Sequence, residues 1–274
     1  MAEQLTITLS GRSLIIDAKP LRPSSFSPFG DVVENPQPHL HPSSAATTFA
    51  KYQSIPFSPI VANQGTAIKY QHVTLLIDLY AQAPSRRPGI AVTNMFVCAS
   101  RKPLPSSSSS SSGRTKDKLF PVTVLERHPY TTQTFIPLSG TTSRYLVIVA
   151  PTLPPSSKDA HLPVPTAPTT NPHVGNHKLP GRGLPDLKRL KAFVATTDQA
   201  VTYAAGTWHA PMAVLGEEGT RMDFVVVQFA NGVGVEDCQE VFLEGSSPEE
   251  VAKEGTILVR VPRGTDVVRK WAKL

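Results

Sequence analysis

The sequence predicts an all-β fold, a barrel or sandwich with few short helices. Two observations carry this. About ten short runs rich in β-branched and aromatic residues are spread along the 274 residues, punctuated by glycine and proline. Only one stretch, Pro185 to Phe193, has a helix signature, with proline ahead of Asp-Leu-Lys-Arg-Leu-Lys. Many strands with almost no helix is the pattern of sheets packed on one another or closed on themselves.

In chain order, residues 20 to 59 carry many prolines between short apolar pieces. They read as an irregular arm with one short strand, Gly30-Asp-Val-Val-Glu34. Strands are expected over Lys69 to Tyr80, Ala91 to Ala99, Val122 to His128, Thr134 to Leu138 and Tyr145 to Ala150. Further strands are expected over Gln199 to Tyr203, Met212 to Leu215, Asp223 to Phe229, Glu240 to Leu243 and Thr256 to Val261. Asn231-Gly232, after one of them, is a turn signal. Two segments read as insertions. Residues 103 to 118 hold seven consecutive serines, a tract that cannot bury apolar surface and is expected to be disordered. Residues 151 to 185 are proline-rich and read as a long loop. Long surface loops cost little extra closure entropy, so one domain over residues 1 to 274 with two insertions is the simplest account.

Composition bounds the function. The chain is 40% hydrophobic, enough for a sizeable core, and no apolar run approaches the roughly 18 residues of a membrane span. The N-terminus has an early acid and no cationic region ahead of an apolar one, so no secretory signal is read. Cys98 and Cys238 are too few for a disulfide scaffold. Together these point to the cytoplasm. The formal charge is +6, but the cations are scattered and not interleaved with stacking aromatics, so no nucleic-acid partner is expected. A basic surface suits small anionic substrates equally well.

Two stretches look like halves of one site: Glu126-Arg-His-Pro-Tyr-Thr-Thr-Gln-Thr-Phe-Ile-Pro137 and Gly206-Thr-Trp-His-Ala-Pro211. Histidine titrates near neutral pH, so two meeting in one pocket provide acid–base chemistry or the start of a metal site. Strand alternation places Val122, Val124, Glu126 and His128 on one face and Thr123, Leu125 and Arg127 on the other. Gln133 shares parity with Phe135, and Tyr203 shares it with Thr207 and His209 if the extended run continues past Gly206. Trp208 is either core or pocket wall. Gln228, on the face of Phe224 and Val226, is either a satisfied buried amide or part of the site. His39-Leu-His41 has metal-ligand spacing but lies among prolines in the arm. There is no G-x-S-x-G elbow, no H-E-x-x-H and no P-loop. His128, Gln133 and His209 fall short of a convincing metal set.

These phrases, Glu126-Arg-His-Pro, Gln133-x-Phe-Ile-Pro137, Val201-x-Tyr203, Gly206-x-Trp-His209-x-Pro211 and Asp223-Phe-Val-Val-Val, resemble the ureidoglycolate lyase family. Phe26-Ser-Pro-Phe-Gly-Asp31 resembles its opening phrase. The low-complexity insertions suggest a fungal-type member. Two departures stand out. Val227-Gln-Phe-Ala-Asn-Gly-Val replaces an aspartate–arginine–glycine phrase common in bacterial members, and Ala210 stands where a second histidine often follows His209. The stretch from about Ser246, ending near Trp271, has no counterpart.

The resemblance implies a cupin-like β-barrel or sandwich, a homodimer, and cleavage of ureidoglycolate into glyoxylate and urea late in allantoin and purine breakdown. For that reaction we expect His128 and His209 to share proton transfer with Glu126 tuning one of them. Gln133 and Tyr203 are expected to hold ureido or hydroxyl groups, with Trp208 and Gln228 beside them. Lys69 is the expected carboxylate anchor and Arg127 its rival. No cofactor is required, and a weakly bound divalent metal is left open. The alternatives are another cupin-like enzyme acting on a small carboxylic acid, and a non-catalytic barrel that binds one.

Overall fold

A computed structural model describes residues 5–9, 11, 13–51, 55–101, 104–105, 118–167, 179–245 and 255–262. Among the described residues the chain forms an eight-stranded, a five-stranded, a four-stranded and a two-stranded sheet, largely antiparallel. The central sheet runs Leu5–Thr8, Gln239–Glu244, Val124–Arg127, Trp208–His209, Arg144–Ala150, Lys191–Thr196 and Lys19–Pro20, with Ala213–Leu215 also paired to Arg144–Ala150. The five-stranded sheet runs Gly30–Val33, Ala200–Tyr203, Gln133–Gly140, Arg221–Ala230 and Ile90–Ala99. The four-stranded sheet runs Leu14–Asp17, Ile257–Val261, Lys118–Val122 and Leu104–Pro105.

Both faces of the central sheet are buried. Along Arg144–Ala150, Tyr145, Val147 and Val149 pack with Phe135, Val201, Tyr203, Phe224 and Val226 of the five-stranded sheet. Leu146, Ile148 and Ala150 alternate to the other side, against Phe120, Val122, Ile257 and Val259 of the four-stranded sheet. A strand buried on both faces reads as a continuous apolar run, as Tyr-Leu-Val-Ile-Val-Ala does. Each such side chain contributes roughly 1.5–3 kcal/mol by leaving water.

Of the expected barrel or sandwich, the sheets form the sandwich-like alternative. The central sheet ends in Leu5–Thr8 on one side and Lys19–Pro20 on the other, and no pairing among the described residues closes it. Its second face is covered by another sheet instead, the arrangement of a sandwich.

Most expected strands are present within a residue or two, and three readings change. Lys69 to Tyr80 is not one strand: only Ala67–Lys69 is extended, paired in a hairpin with Ile60–Ala62. Beyond it lie loops, a bridge from Asp78 to Thr131 and a 3-10 turn at Tyr80–Gln82. The expected helix is only a 3-10 turn, Leu187–Arg189, because Lys191–Thr196 is claimed by the central sheet. Val122 to His128 breaks at Thr123 into strands of two different sheets, Lys118–Val122 and Val124–Arg127. Alternation slips there, so Val122 and Leu125 share one core. The serine tract at 106–117 lies outside the described residues, as do Trp271, most of the C-terminal stretch and residues 168–178 of the proline-rich loop.

Candidate active site

Neighbouring strands bring the two histidine motifs together. Glu126 and His209 are direct partners in the central sheet, and Glu240 flanks Glu126 on its other side. His209 Nε2 lies 3.4 Å from Glu126 Oε1. His128 follows the same strand, and its ring centroid is 5.6 Å from that of His209. From the facing sheet, Tyr203 stacks on His209 with centroids 4.0 Å apart and planes 11° from parallel. Gln133 is in register with Tyr203 on one side and Gln228 on the other, and its amide donates to Gln228 Oε1 at 2.7 Å. Glu126, His128 and His209 from one layer thus meet Tyr203, Gln133 and Gln228 from the next.

The two rings are fixed the same way. His128 Nδ1 donates to the Asp237 carbonyl at 2.6 Å, and His209 Nδ1 donates to the Thr207 carbonyl at 2.8 Å. A carbonyl only accepts, so each Nδ1 carries a hydrogen, and Nε2 is the ring atom left to face the site. Both Nε2 atoms are buried and have no hydrogen-bond partner among the described residues. Gln133 Oε1 is likewise buried without a partner. The His209 Nε2–Glu126 approach is a close polar contact through which His209 acts on the carboxylate. Buried polar atoms left without partners call for a ligand or a cation.

Electrostatics follow the burial. Burial pushes His128 down to about 4, helped by His209, so it is neutral at neutral pH. Burial acts to raise the Glu126 carboxyl, but His209 and then His128 outweigh it and hold it below its usual range. Burial keeps the Tyr203 phenol protonated. Cys238 is pushed up to about 12 by burial and then by Glu126, so it stays a thiol.

Local sequence explains the geometry. Strand alternation sends Glu126 into the site and Arg127 to the opposite core. The extended run does not continue past Tyr203: it turns at Ala204 to Thr207, with Gly206 at φ +73°, and the chain crosses between sheets. A Cβ on Gly206 would lie 2.0 Å from Pro180 Cβ. The Phe29 carbonyl of the opening phrase holds this turn, accepting from Ala204 N at 2.9 Å and Thr207 Oγ1 at 3.0 Å. Thr207 thus serves the site through its carbonyl and not through its side chain.

Three expected substrate contacts lie elsewhere. Arg127 is fully buried over the Trp208 ring at 4.4 Å, and its guanidinium donates to Gln239 Oε1 and to the carbonyls of Gly181, Arg182 and Gly183. Its donors are used, as the opposite parity from Glu126 requires. Trp208 is core, with Nε1 donating to Gly183 O at 3.1 Å. Lys69 is exposed on the small hairpin. His41 in the arm caps a 3-10 turn through Ser43.

Sequence reading missed the loop that seats His128. Asp237, whose carbonyl accepts from that ring, has its carboxylate held by Asn231 N, Gly232 N and the Tyr80 hydroxyl, at 2.8, 2.8 and 2.7 Å. Glu236 beside it accepts from Ser85 N, Ser85 Oγ and Asn231 Nδ2. The Asn231-Gly232 turn signal was the available clue, since Gly232 takes φ +78°.

One ligand atom each from Glu126, His128 and His209 lies within 4.8 Å of the others, as do atoms of Glu126, Cys238 and Glu240. The first set, two imidazoles and a carboxylate, is of the donor type that suits a divalent cation.

Residues 13–249 match the ureidoglycolate lyase family. A ureidoglycolate lyase of Schizosaccharomyces pombe is 34% identical over 238 residues, 86% of this chain and 94% of the relative. One of Saccharomyces cerevisiae is 35% identical over 168 residues, 61% of this chain and 67% of the relative. One of Burkholderia mallei is 29% identical over 212 residues, 77% and 81%. The relatives include fungal and bacterial proteins alike. No described helix is long and apolar enough to cross a membrane.

Proposed function

We propose that this chain, which belongs to the ureidoglycolate lyase family, splits ureidoglycolate into glyoxylate and urea in the pocket of Glu126, His128 and His209. The observation that carries the reading is the convergence of two buried imidazole Nε2 atoms, neither with a hydrogen-bond partner among the described residues, on the Glu126 carboxylate. Ureidoglycolate brings partners for them, a carbinol hydroxyl and ureido N–H groups.

The reaction moves one proton from oxygen to nitrogen. His128 Nε2 accepts the hydroxyl proton as the carbonyl of glyoxylate forms. The carbon–nitrogen bond breaks and its electron pair goes to the urea nitrogen. A proton shared between His209 Nε2 and Glu126 turns their 3.4 Å contact into an ion pair and is the one given to that nitrogen. Gln133 Oε1 accepts from a ureido N–H, and Tyr203 holds the His209 ring by stacking.

A second reading is favoured by the 4.8 Å grouping of the three donor atoms. Glu126, His128 and His209 would there hold a divalent cation. When bound, that ion supplies positive charge for the substrate's carboxylate and hydroxyl oxygens, which no lysine or arginine among the six site residues provides.

The cupin-like relationship and the cytoplasmic setting belong to this reading, as does a fungal-type assignment. So does a homodimer. The outer face of the five-stranded sheet supports it, since Met95 and Val97 are about 60% exposed there on the edge strand Ile90–Ala99.

Direct turnover tests the function: glyoxylate and urea should appear in equal amounts from ureidoglycolate. Ammonia in place of urea would indicate amidohydrolase chemistry, and binding without turnover would indicate a small-acid-binding protein. Assays before and after chelation, with elemental analysis of the purified protein, separate the two catalytic readings.

A further inference from the structure

A second cavity, about 1090 Å³, opens at the other end of the central strand Arg144–Ala150. His209 is in register with Val149, whereas Arg144 at the cavity is five residues away, about 17 Å at the rise of an extended strand. We propose that this cavity is a second binding site, separate from the histidine pocket, and that it takes a small organic oxyanion such as a dicarboxylate or a phosphate ester.

The charge of the lining argues for an anion. Arg101, Lys118 and Arg144 face it, and Glu217 is their one acidic companion among the described residues. Lys118 and Glu217 pair at 3.0 Å on the surface, a contact worth little and easily traded for a ligand. Arg101 lies over the Phe120 ring, 5.6 Å from its centroid, which leaves its edge nitrogens free of that contact. Arg144 is half-buried, and the part of its side chain that lines the cavity offers a carboxylate or phosphate oxygen a charge-assisted donor.

The rest of the wall suits an organic body. Ser143 and Thr197 sit beside Arg144, tied by a backbone hydrogen bond from Thr197 N to Ser143 O at 3.1 Å. Phe120 and Leu215 supply apolar surface, Leu215 as the cross-strand neighbour of Arg144. A lining of cations, hydroxyls and apolar side chains is that of a pre-formed small-molecule site. None of these residues belongs to the catalytic pocket, so the site can be filled while turnover continues.

The test is calorimetric titration of the full chain with succinate and, separately, with inorganic phosphate. The wild type, Arg144→Gln, Arg101→Gln and His209→Asn are compared, each checked for folding by its thermal transition. We expect saturable binding of at least one probe with Kd in the range of about 1 mM. Both arginine variants should weaken it at least about tenfold, the factor of one lost charge-assisted contact, with His209→Asn unchanged. Preference for succinate or for phosphate then distinguishes the carboxylate from the phosphate class. The proposal is overturned if neither probe binds by about 10 mM. It is also overturned if binding survives in both arginine variants, or is lost in His209→Asn and kept in them. These outcomes are independent of whether ureidoglycolate is the substrate.

Discussion

His128→Asn removes one lone pair and little else. The asparagine amide nitrogen falls where Nδ1 was, so the 2.6 Å donation to the Asp237 carbonyl can persist while Nε2 disappears. If Nε2 accepts the hydroxyl proton, its loss forfeits a general base, worth about 10²–10⁴ in rate. At about 1.4 kcal/mol per decade that is roughly 3–5 kcal/mol of barrier. The assay is release of glyoxylate and urea, with folding followed in parallel. Stability gives a second, independent readout. Burial holds His128 at about 4 against an ordinary 6.5, so the folded state refuses a proton that the unfolded state takes. The stabilisation tied to neutral His128 is complete above pH 6.5 and is lost as pH falls toward 4, up to about 3 kcal/mol. Between pH 7 and 5, urea unfolding of chelated wild type should lose roughly 2 kcal/mol through this group, and His128→Asn should lack that component. Turnover within about threefold of wild type in a folded variant would refute the base assignment. An unchanged pH slope would refute the burial argument.

Arg127→Lys should leave the activity per folded molecule intact and lower stability by about 3 kcal/mol, because an ammonium cannot reach Gln239 and three carbonyls together; denaturant unfolding reads it. Gly206→Ala should cost more than about 1 kcal/mol, from the positive φ and the Pro180 clash, and depress kcat by moving His209. Tyr80→Phe removes one of three donors on Asp237 and should lower kcat several-fold with KM little changed, since Tyr80 acts only through the seat of His128; an effect on stability alone would show the loop to be purely structural. Met95→Lys with Val97→Lys should convert a dimer to a monomer by light scattering, and an unaltered mass would place the interface elsewhere.

How far the sequence could be read depends on the range of the interactions involved. Ile90–Ala99 and Arg221–Ala230 were legible because their β-branched runs satisfy themselves as neighbouring strands. Lys191–Thr196 was not, because Pro185 to Arg189 resembles a helix start locally, and only pairing with Arg144–Ala150 settles the matter. The break at Thr123 was invisible for the same reason: the flanking strands differ in partners, not in composition. In the site, alternation separated Glu126 from Arg127 because it is set by three consecutive residues. No local constraint bears on Lys69, and the structure leaves it on the surface. Asp237 escaped notice since its contribution to the pocket is a carbonyl, which every residue has.

The same geometry bears on the two departures from the bacterial wording. Ala210 follows His209 in a strand, so it faces away from the pocket and packs with Trp208 against the other core. A histidine there would point to that core and add no ligand beside His209, so alanine costs the site nothing. The Asn231-Gly232 turn is different. Its amides donate to Asp237, which anchors His128, and the Asn231 side chain bonds Glu236. Inward-facing Gln228, three residues earlier, is bonded to Gln133. This stretch therefore shapes the pocket through neutral amides and a backbone carbonyl. With no arginine contributed here by the described residues, the countercharge for a bound carboxylate comes on these two readings from a cation held at Glu126, His128 and His209 or from the proton shared by His209 and Glu126. Chelation should consequently abolish binding of the substrate carboxylate in the first case and leave it intact in the second, which equilibrium titration with glyoxylate can decide.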